Sequence, residues 1–339
     1  MITESLKKII NHQDLSQEET ETVFTEIMQG NATPVQIGAF LTALHIKGEA
    51  VDEITGAASI MRKLAVTLNI KSKVIMDTCG TGGSGKHGFN VSTLTALVIS
   101  AAGVTVAKHG NRSITSKSGS ADLLESLGVN INAAPQITEK CINEIGIGFM
   151  FAPLFHKAMK YAIGVRRELG FRTIFNILGP LTNPAHATHQ LLGVFNPDLC
   201  EPLARVLGKL GLRHALVVHG SDGLDEVTIT NSTIVCEMRD GEISNYIITP
   251  EQFGLKRASI KDIQISGLEQ SKKIALEVLD GKSGPVFDFV VLNSACALYA
   301  AERVSSIIDG IDLAKRMLHA RKAVEKLELL KKLTNADNT

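Results

Sequence analysis

The sequence predicts an α/β protein with a small all-helical N-terminal domain and a larger α/β domain that has a central, mostly parallel sheet. Three observations predict this fold class. Apolar residues recur at the helical period of 3.6 through residues 1–69, with no strand-like run between them. From about residue 73, short apolar runs alternate with helical patterns, as in a sheet covered by helices. The 339 residues are sufficient for two such units.

The first domain is predicted over residues 1–69 from successive apolar stripes at helical spacing. Gly30 ends one stripe, and Pro34 begins the next over residues 35–46. The stripes are Leu6, Ile9 and Ile10; Val23, Phe24, Ile27 and Met28; Ile37, Phe40, Leu41 and Leu44; and residues 51–64. A helical pattern returns between residues 155 and 184, so we expect helices from about 160–184 to join this domain. The α/β domain is predicted over residues 70–339.

Within the α/β domain, strands and helices are predicted in alternation. The predicted strands are 74–76, 104–107, 148–151, 191–195, 215–219 and 286–292, and the predicted helices are 91–102, 121–127, 202–210 and 272–279. Asp240-Gly241 predicts a hairpin turn within residues 228–248. Residues 312–333 predict one charged amphipathic helix.

Composition limits the classes of function. Lys plus Arg and Asp plus Glu both number 35, Trp is absent and aromatic residues make up 4% of the chain. A neutral chain with few aromatic side chains argues against a nucleic-acid partner. The five cysteines are widely separated, which is typical of reduced thiols in a cytoplasmic protein. We expect no membrane association, because the longest apolar candidate, residues 94–107, is short and is interrupted by Gly103.

Residues 77–122 combine many groups that bind phosphate. Gly80-Thr81-Gly82-Gly83-Ser84-Gly85 follows a predicted strand, and Asn90-Val91-Ser92-Thr93 begins a predicted helix. Glycines allow backbone N–H groups to approach anionic oxygens, and a helix N-terminus attracts them. Asn, Ser and Thr are also ordinary helix caps, a role compatible with anion binding. With Lys108 at the end of the next predicted strand, this stretch favours a ligand with several phosphates.

Two familiar nucleotide motifs match the glycines only in part. Gly80, Gly82 and Gly85 have GxGxxG spacing, but a dinucleotide site needs an acid at the end of the following strand, where this chain has Lys108. Gly80, Gly85 and Lys86 have Walker A spacing, but His87 stands where that motif needs Ser or Thr. Both interpretations are therefore rejected.

Other charged residues are ambiguous when each is considered alone. Asp225-Glu226 lies in a predicted loop and could bind Mg²⁺ or form a solvated turn. One guanidinium of Arg166-Arg167 could bind a carboxylate, while the other is expected at the surface. His109 and His156 are each compatible with a structural hydrogen bond.

Taken together, the motifs resemble those of the anthranilate phosphoribosyltransferase family over almost the whole chain. The matching segments are Gly80-Thr81-Gly82-Gly83, Asn90-Val91-Ser92-Thr93, Lys108-His109-Gly110-Asn111-Arg112, Ser118-Gly119-Ser120-Ala121-Asp122, residues 165–170, residues 172–176, residues 178–184 and Gly223-Leu224-Asp225-Glu226. The combination is highly specific, although each motif alone is not.

The resemblance implies transfer of phosphoribose from 5-phosphoribosyl 1-diphosphate to anthranilate, a step of tryptophan biosynthesis. It implies two Mg²⁺ ions, a homodimer formed through the helical domain, and catalytic roles for Lys108, Arg166 and His109. The implied diphosphate-substrate contacts are Gly80, Thr81, Gly82, Gly83, Asn90, Ser92, Thr93, Lys108 and Ser120. The implied anthranilate contacts are Gly80, Asn111, His156, Arg166, Gly179 and Pro180, and the implied metal ligands are Ser92, Asp225 and Glu226. Ser84 departs from the family, many members of which have Asp there.

Two other functions are weighed against this one. A pyrimidine nucleoside phosphorylase is expected to share the helical-plus-α/β architecture, but Asp225-Glu226 and the Asn111/Arg166 carboxylate site argue against it. A nucleic-acid-binding relative would need a basic surface, which the neutral chain does not favour. The apolar stripes of residues 1–69 fit a dimer interface and equally fit the chain's own core.

Overall fold

The structure, a computed structural model, describes residues 1–83, 88–112 and 119–336. It has a small helical N-terminal part and a larger α/β part, the fold class that the sequence predicts. The N-terminal helices are α1 (Ile2–Ile10), α2 (Gln17–Met28), α3 (Pro34–Lys47) and α4 (Val51–Lys63). Capping boxes begin α2, at Ser16 and Glu19, and α3, at Thr33 and Gln36.

The strands of the described residues form a seven-stranded sheet of order β3-β2-β1-β4-β5-β6-β7. The first five strands in this order are parallel, and β6 and β7 add an antiparallel hairpin. The strands are β1 (Ile75–Gly80), β2 (Thr105–Gly110), β3 (Ile147–Phe151), β4 (His189–Gly193), β5 (His214–Gly220), β6 (Thr233–Arg239) and β7 (Glu242–Ile248). Asp240 and Gly241 connect β6 to β7 with φ of 49° and 89°, which confirms the predicted hairpin turn.

Helices cover both faces of the sheet. They are α5 (Val91–Ala101), α6 (Ser120–Ser126), α7 (Pro135–Ile145), α8 (Ala152–Phe155), α9 (Lys160–Leu169), α10 (Phe175–Leu178), α11 (Cys200–Lys209), α12 (Ile260–Ile263), α13 (Leu268–Leu279), α14 (Pro285–Ala300), α15 (Ile307–His319) and α16 (Lys322–Thr334). Strand β5 shows the two-sided burial: Leu216 and Val218 face the core containing α5 and α14, whereas Ala215 and Val217 face the core containing α4 and α11.

Two sequence predictions of secondary structure are wrong. Residues 286–292, predicted as a strand, lie in α14. This helix is buried on nearly every side, so its apolar run has no polar face to reveal the helical period. Residues 312–333, predicted as one helix, belong to α15 and α16, which are separated at Arg321 with φ of 56°. Both helices are amphipathic, and the sequence pattern continues across the break.

The helical part is joined to the α/β part by a buried arginine and by α9. Arg62, near the end of α4, donates hydrogen bonds to the carbonyl oxygens of Leu181 (2.7 Å) and Leu210 (3.2 Å). Helix α9 packs against α2 and α3. Among the described residues, no helix is both long enough and apolar enough to span a bilayer.

Candidate active site

Several of the predicted site residues lie at one edge of the sheet. Strands β1 and β4 are neighbours, but β1 continues toward β2 and β3 on one side while β4 continues toward β5 on the other. This reversal creates a crevice beyond the carboxyl ends of the strands, where ligands of open α/β sheets bind. Gly80 ends β1, Lys108 lies near the end of β2, and the loop with Asp225 and Glu226 follows β5.

The acidic loop packs directly on the glycines of β1 and β4. Gly80 and Gly193 are paired in the sheet, and the Oδ2 atom of Asp225 accepts a hydrogen bond from the Gly82 N–H at 2.8 Å. A Cβ atom on Gly193 would lie 1.7 Å from the Asp225 carbonyl oxygen, and one on Gly80 would lie 2.7 Å from Asp225 Oδ2. Glycine is therefore required at position 193 for the two loops to meet, and a Cβ atom at position 80 would displace the Asp225 carboxylate.

Arg172 contacts the glycine loop at Gly83. Its guanidinium donates to the Gly83 carbonyl oxygen at 2.5 Å and lies 4.0 Å from the centre of the Phe195 ring. Gly82 and Gly83 have φ of 69° and 82°, so this contact fixes a backbone that L side chains rarely adopt. Arg172 lies in a segment that matches a family motif, but the sequence alone did not predict this contact.

Lys108 is a buried cation at the centre of the site. The residue is only 3% exposed, and its Nζ donates to the Thr78 carbonyl oxygen at 2.5 Å and to Ser92 Oγ at 3.2 Å. Burial lowers the pKa of Lys108, while the negative charges of Asp77 and Glu226 oppose that change. The structure thus places Lys108 next to Ser92. The family resemblance implies that both residues contact the diphosphate substrate.

The carboxylate of Asp77 supplies a negative charge near the Lys108 ammonium. Its Oδ1 accepts from the His109 backbone N–H at 3.2 Å, and its Oδ2 accepts from Asn183 Nδ2 at 2.8 Å. Asn183 Nδ2 also donates to the Ala107 carbonyl oxygen at 2.8 Å. Burial raises the pKa of Asp77, and Lys108 is the strongest influence in the opposite direction. Neither Asp77 nor Asn183 was a predicted site residue, because both act through contacts distant in sequence.

Glu226 has few compensating contacts. Burial raises its pKa well above the usual value, the neighbouring charge of Asp225 adds to the increase, and Lys108 opposes it. No hydrogen bond to its carboxylate is formed within the described ranges 1–83, 88–112 and 119–336. A partly buried acidic pair, in which the Glu226 carboxylate accepts no hydrogen bond from the described residues, matches the oxygen ligands that Mg²⁺ prefers.

His109 and His156 form a buried pair with ring centres 5.0 Å apart. Burial, chiefly, lowers the pKa of His109 to about 3 and that of His156 to about 4, so both rings are neutral near pH 7. His109 Nδ1 lies 3.1 Å from the Gly179 carbonyl oxygen and therefore carries the proton. In the described part of the chain, no group hydrogen-bonds to the Nε2 atom of either ring.

Arg166 lies on α9 with its guanidinium carbon 5.1 Å from the centre of the Phe175 ring. Burial lowers the pKa of Arg166, and no carboxylate of the described residues forms an ion pair with it. Phe175 begins α10, which leads directly to Gly179 and Pro180. The Pro180 carbonyl oxygen accepts from Gln190 Nε2 at 2.7 Å.

The remaining predicted residues are placed as follows. The Asn111 carbonyl oxygen lies 3.3 Å from Ser120 Oγ, at the start of α6, so these two are adjacent. Asn90 is the residue before α5, and its side chain makes no capping hydrogen bond. Thr93 is buried, with a hydroxyl that has no partner among the described residues, so only its backbone is available to a ligand. Ser84, with the rest of 84–87, lies outside the described residues.

Two family models match the two parts of this fold. A model described as glycosyl transferase family, helical bundle domain, matches residues 3–65. A second, described as glycosyl transferase family, a/b domain, matches residues 72–324. Fold and site therefore define a glycosyl transferase composed of a helical bundle and an α/β domain.

Curated relatives narrow this class. The chain is 51% identical to anthranilate phosphoribosyltransferase of Acetivibrio thermocellus, over 99% of this chain and 97% of the relative. It is 50% identical to that of Symbiobacterium thermophilum, over 97% of each chain. The chain belongs to the anthranilate phosphoribosyltransferase family.

Solved structures agree with this assignment. The anthranilate phosphoribosyltransferase of Thermus thermophilus is 42% identical, with a TM-score of 0.93 over 97% of this chain and 99% of that one. The Saccharomyces cerevisiae enzyme in complex with PRPP and Mg is 27% identical, with a TM-score of 0.89 over 99% and 98%. The same yeast enzyme has been solved with 4-fluoroanthranilate, at 26% identity and a TM-score of 0.89 over 99% and 98%.

Gly193→Ala tests the close approach of the acidic loop to the sheet. The added methyl group would overlap the Asp225 carbonyl oxygen, so the loop must move and the free energy of unfolding should fall by about 2 kcal/mol. Denaturant unfolding measures that loss, and hydrogen exchange measures the exposure of the loop amides. Gly267→Ala is the matched control, because Gly267 has extended φ and open space around it. Equal stability of the two variants would contradict the packing described.

Proposed function

We propose that this chain transfers the phosphoribosyl group of 5-phosphoribosyl 1-diphosphate to the amino group of anthranilate. The products are N-(5-phosphoribosyl)anthranilate and pyrophosphate, and the reaction is a step of L-tryptophan biosynthesis in the cytoplasm. The observation that carries the proposal is the buried Lys108 at the crevice of a chain 51% identical to a named member of the family over 99% of its length. The cationic side chains of Lys108 and Arg166 match the negative charges of the diphosphate and of the anthranilate carboxylate.

The diphosphate substrate is bound by the glycine loop and the β2 end. Gly80, Thr81, Gly82 and Gly83 form the loop that faces the phosphates in this proposal, with the Thr81 and Gly82 N–H groups donating to the Gly193 carbonyl oxygen and to Asp225 Oδ2. Asn90, Ser92, Thr93 and Ser120 stand at helix starts that attract anions. Lys108 already uses two of its three ammonium protons on Thr78 and Ser92. Its charge stabilises the pyrophosphate that departs when the bond between the ribose anomeric carbon and oxygen breaks.

Two Mg²⁺ ions accompany the diphosphate substrate in this proposal. Ser92 would contribute to one site, and Asp225 with Glu226 to the other. The Glu226 carboxylate, which accepts no hydrogen bond within the described residues, fits a divalent cation, since the cation would favour its ionised form. When bound, Mg²⁺ neutralises charge that accumulates on the leaving group. The yeast relative was solved in complex with PRPP and Mg, which supports the requirement for the metal.

The acceptor is held by its carboxylate. Arg166 has a desolvated guanidinium with no carboxylate partner within the described residues, and a planar guanidinium can bind a carboxylate through two hydrogen bonds. Gly80, Asn111, His156, Gly179 and Pro180 complete the proposed anthranilate site. Holding the acceptor places its amine beside the anomeric carbon, so that attack is effectively intramolecular. A neutral aromatic amine needs no strong base before it attacks.

The assay that tests the function follows anthranilate fluorescence in a mixture with 5-phosphoribosyl 1-diphosphate and Mg²⁺. We expect the fluorescence to fall with enzyme concentration as anthranilate is consumed. Unchanged fluorescence with well-folded protein would contradict the proposal. A pyrimidine nucleoside phosphorylase would instead consume nucleoside and inorganic phosphate, which is measured in parallel.

Replacement of Asp225 and Glu226 tests the proposed metal site in the same assay. Asp225→Asn with Glu226→Gln should reduce Mg²⁺-dependent turnover about 100-fold or more, because the carboxylate charges that hold the cation are removed. The matched control is Asp312→Asn with Glu328→Gln, which makes the same charge change at exposed positions. Full activity of the first variant at ordinary Mg²⁺ would show that the pair is a solvated turn.

His109 is proposed as the acceptor of the proton released from the amine after the new C–N bond forms. Its pKa of about 3 leaves the unpartnered Nε2 lone pair free of protons across pH 5–8. His109→Ala should therefore lower kcat by at most about 100-fold, because a base with so low a pKa is weak. The factor should be constant over this pH range, and KM for the diphosphate substrate should not change. A kcat equal to that of wild type across this pH range would eliminate this role.

We also propose a homodimer formed through the helical domain of residues 1–69 and the helices of about 160–184. Val35 and Ile46 on α3 are 81% and 71% exposed, and Tyr161, Ile163 and Phe171 expose further apolar surface on or beside α9. Sedimentation should give twice the chain mass for wild type and one chain mass for Val35→Asp with Ile163→Asp. Ile308→Asp, on α15, is the control. A monomeric wild type would contradict the proposal.

A further inference from the structure

Asn293 makes a set of contacts that the reaction chemistry above does not include. It lies in the middle of α14 and is 1% exposed. Its Oδ1 accepts from the Val227 backbone N–H at 3.1 Å, and its Nδ2 donates to the Val227 carbonyl oxygen at 2.8 Å. The same Nδ2 also donates to the Phe289 carbonyl oxygen at 2.9 Å. The side-chain amide of Asn293 therefore binds both the N–H and the carbonyl oxygen of Val227, much as a residue on a neighbouring β-strand would.

Val227 directly follows Glu226, so the Asn293 contact fixes the backbone at the C-terminal side of the acidic pair. Helix α14 packs against α5, β4 and β5, so Asn293 connects the acidic loop to a helix in the middle of the core. A side chain that is buried in a close-packed helix has little freedom to follow a shifted loop. The position of Glu226 relative to Lys108 consequently depends on this contact.

The N-terminal side of the pair is held by a different set of hydrogen bonds. Asp222 accepts from the Leu224 N–H at 3.1 Å and from the Thr228 and Thr230 hydroxyls. The Gly220 N–H donates to the Leu224 carbonyl oxygen at 2.8 Å, which closes the turn after β5. Asp222 makes the turn rigid within itself, whereas Asn293 ties Val227, the residue directly after the acidic pair, to helix α14.

We propose that Asn293 is a positioning residue that sets the Asp225–Glu226 pair for divalent-cation binding. The inference rests on the proposed function, because it assigns Asn293 a role toward the metal of that site. Residues that orient metal ligands typically change metal affinity 10- to 100-fold when they are replaced, without touching the ion. A purely structural amide would instead lower the stability of the fold and leave the metal affinity of the folded molecules unchanged.

The test measures metal binding without turnover. Mn²⁺ is titrated into the full chain in the presence of inorganic pyrophosphate, and free Mn²⁺ is read from its electron paramagnetic resonance signal. Asn293→Ala should raise the apparent Mn²⁺ dissociation constant about 10-fold or more. Ser294→Ala is the matched control, since Ser294 is the next buried residue on α14 and its hydroxyl has no partner in the described residues. It should bind Mn²⁺ like wild type.

Kinetics supply a second readout. In Asn293→Ala, the Mg²⁺ concentration for half-maximal activity should rise by a similar factor, while KM for anthranilate stays within about twofold of wild type. Asn293→Ser is the milder variant, because its hydroxyl and the vacated space can admit a water molecule to the Val227 peptide. It should give an intermediate dissociation constant.

Each other outcome decides against the proposal. If folded Asn293→Ala binds Mn²⁺ with wild-type affinity, the acidic pair does not depend on the Asn293 contact. If neither variant folds, Asn293 is required by the core as a whole and is not a specific positioning residue. If wild type itself retains no Mn²⁺ with pyrophosphate, the metal site of the proposed function fails, and that result is separate from any effect of Asn293.

Discussion

The burial of the Lys108 ammonium is the constraint on which the rest of the site depends. Removing an ammonium from water costs several kcal/mol, and each hydrogen bond to a charged group returns about 1.5–3 kcal/mol. The bonds to Thr78 and Ser92 offset part of that cost, and the charge of Asp77 offsets more. Asp77 must then be held itself, which explains its bonds to Asn183 and to the His109 backbone. One cation thereby organises β1, β2 and the start of α5.

A second constraint is the space at the carboxyl ends of β1 and β4. The acidic loop can reach the glycine loop only by crossing these strand ends at backbone contact distance. Gly80 and Gly193 permit that crossing because neither has a side chain. On the other side, Arg172 fixes Gly83 from outside the sheet. The glycine loop is therefore held between the Asp225 carboxylate and the Arg172 guanidinium. The glycine loop and the acidic loop are positioned by each other as well as by the sheet.

The sequence could predict what local patterns encode. The helical N-terminal part, the mostly parallel sheet and the Asp240-Gly241 turn follow from periodicity and turn residues over a few positions. The pattern was misleading at α14, since burial on nearly every side removes the polar face that marks a helix. In the site, the motifs containing Lys108 and Asp225 were visible, but Gly193 and Asn293 were not, and Asn183 was visible in the motif of residues 178–184 without a role. Each of these acts on a residue far away in sequence, and a lone Gly or Asn carries no spacing that would identify its partner.

Asp225 and Glu226 are adjacent in sequence but differ in environment. The Asp225 carboxylate accepts the Gly82 N–H, so it compensates part of its charge with a donor from the glycine loop. Glu226 has no such donor within the described residues and has a raised pKa. Adjacent acids on an extended strand would point to opposite faces, whereas on a loop each can take its own direction. This difference separates two roles of the pair. The Asp225 carboxylate holds the acidic loop against the glycine loop. The Glu226 carboxylate accepts no hydrogen bond from the described residues, and its ionised form would gain the more from a divalent cation.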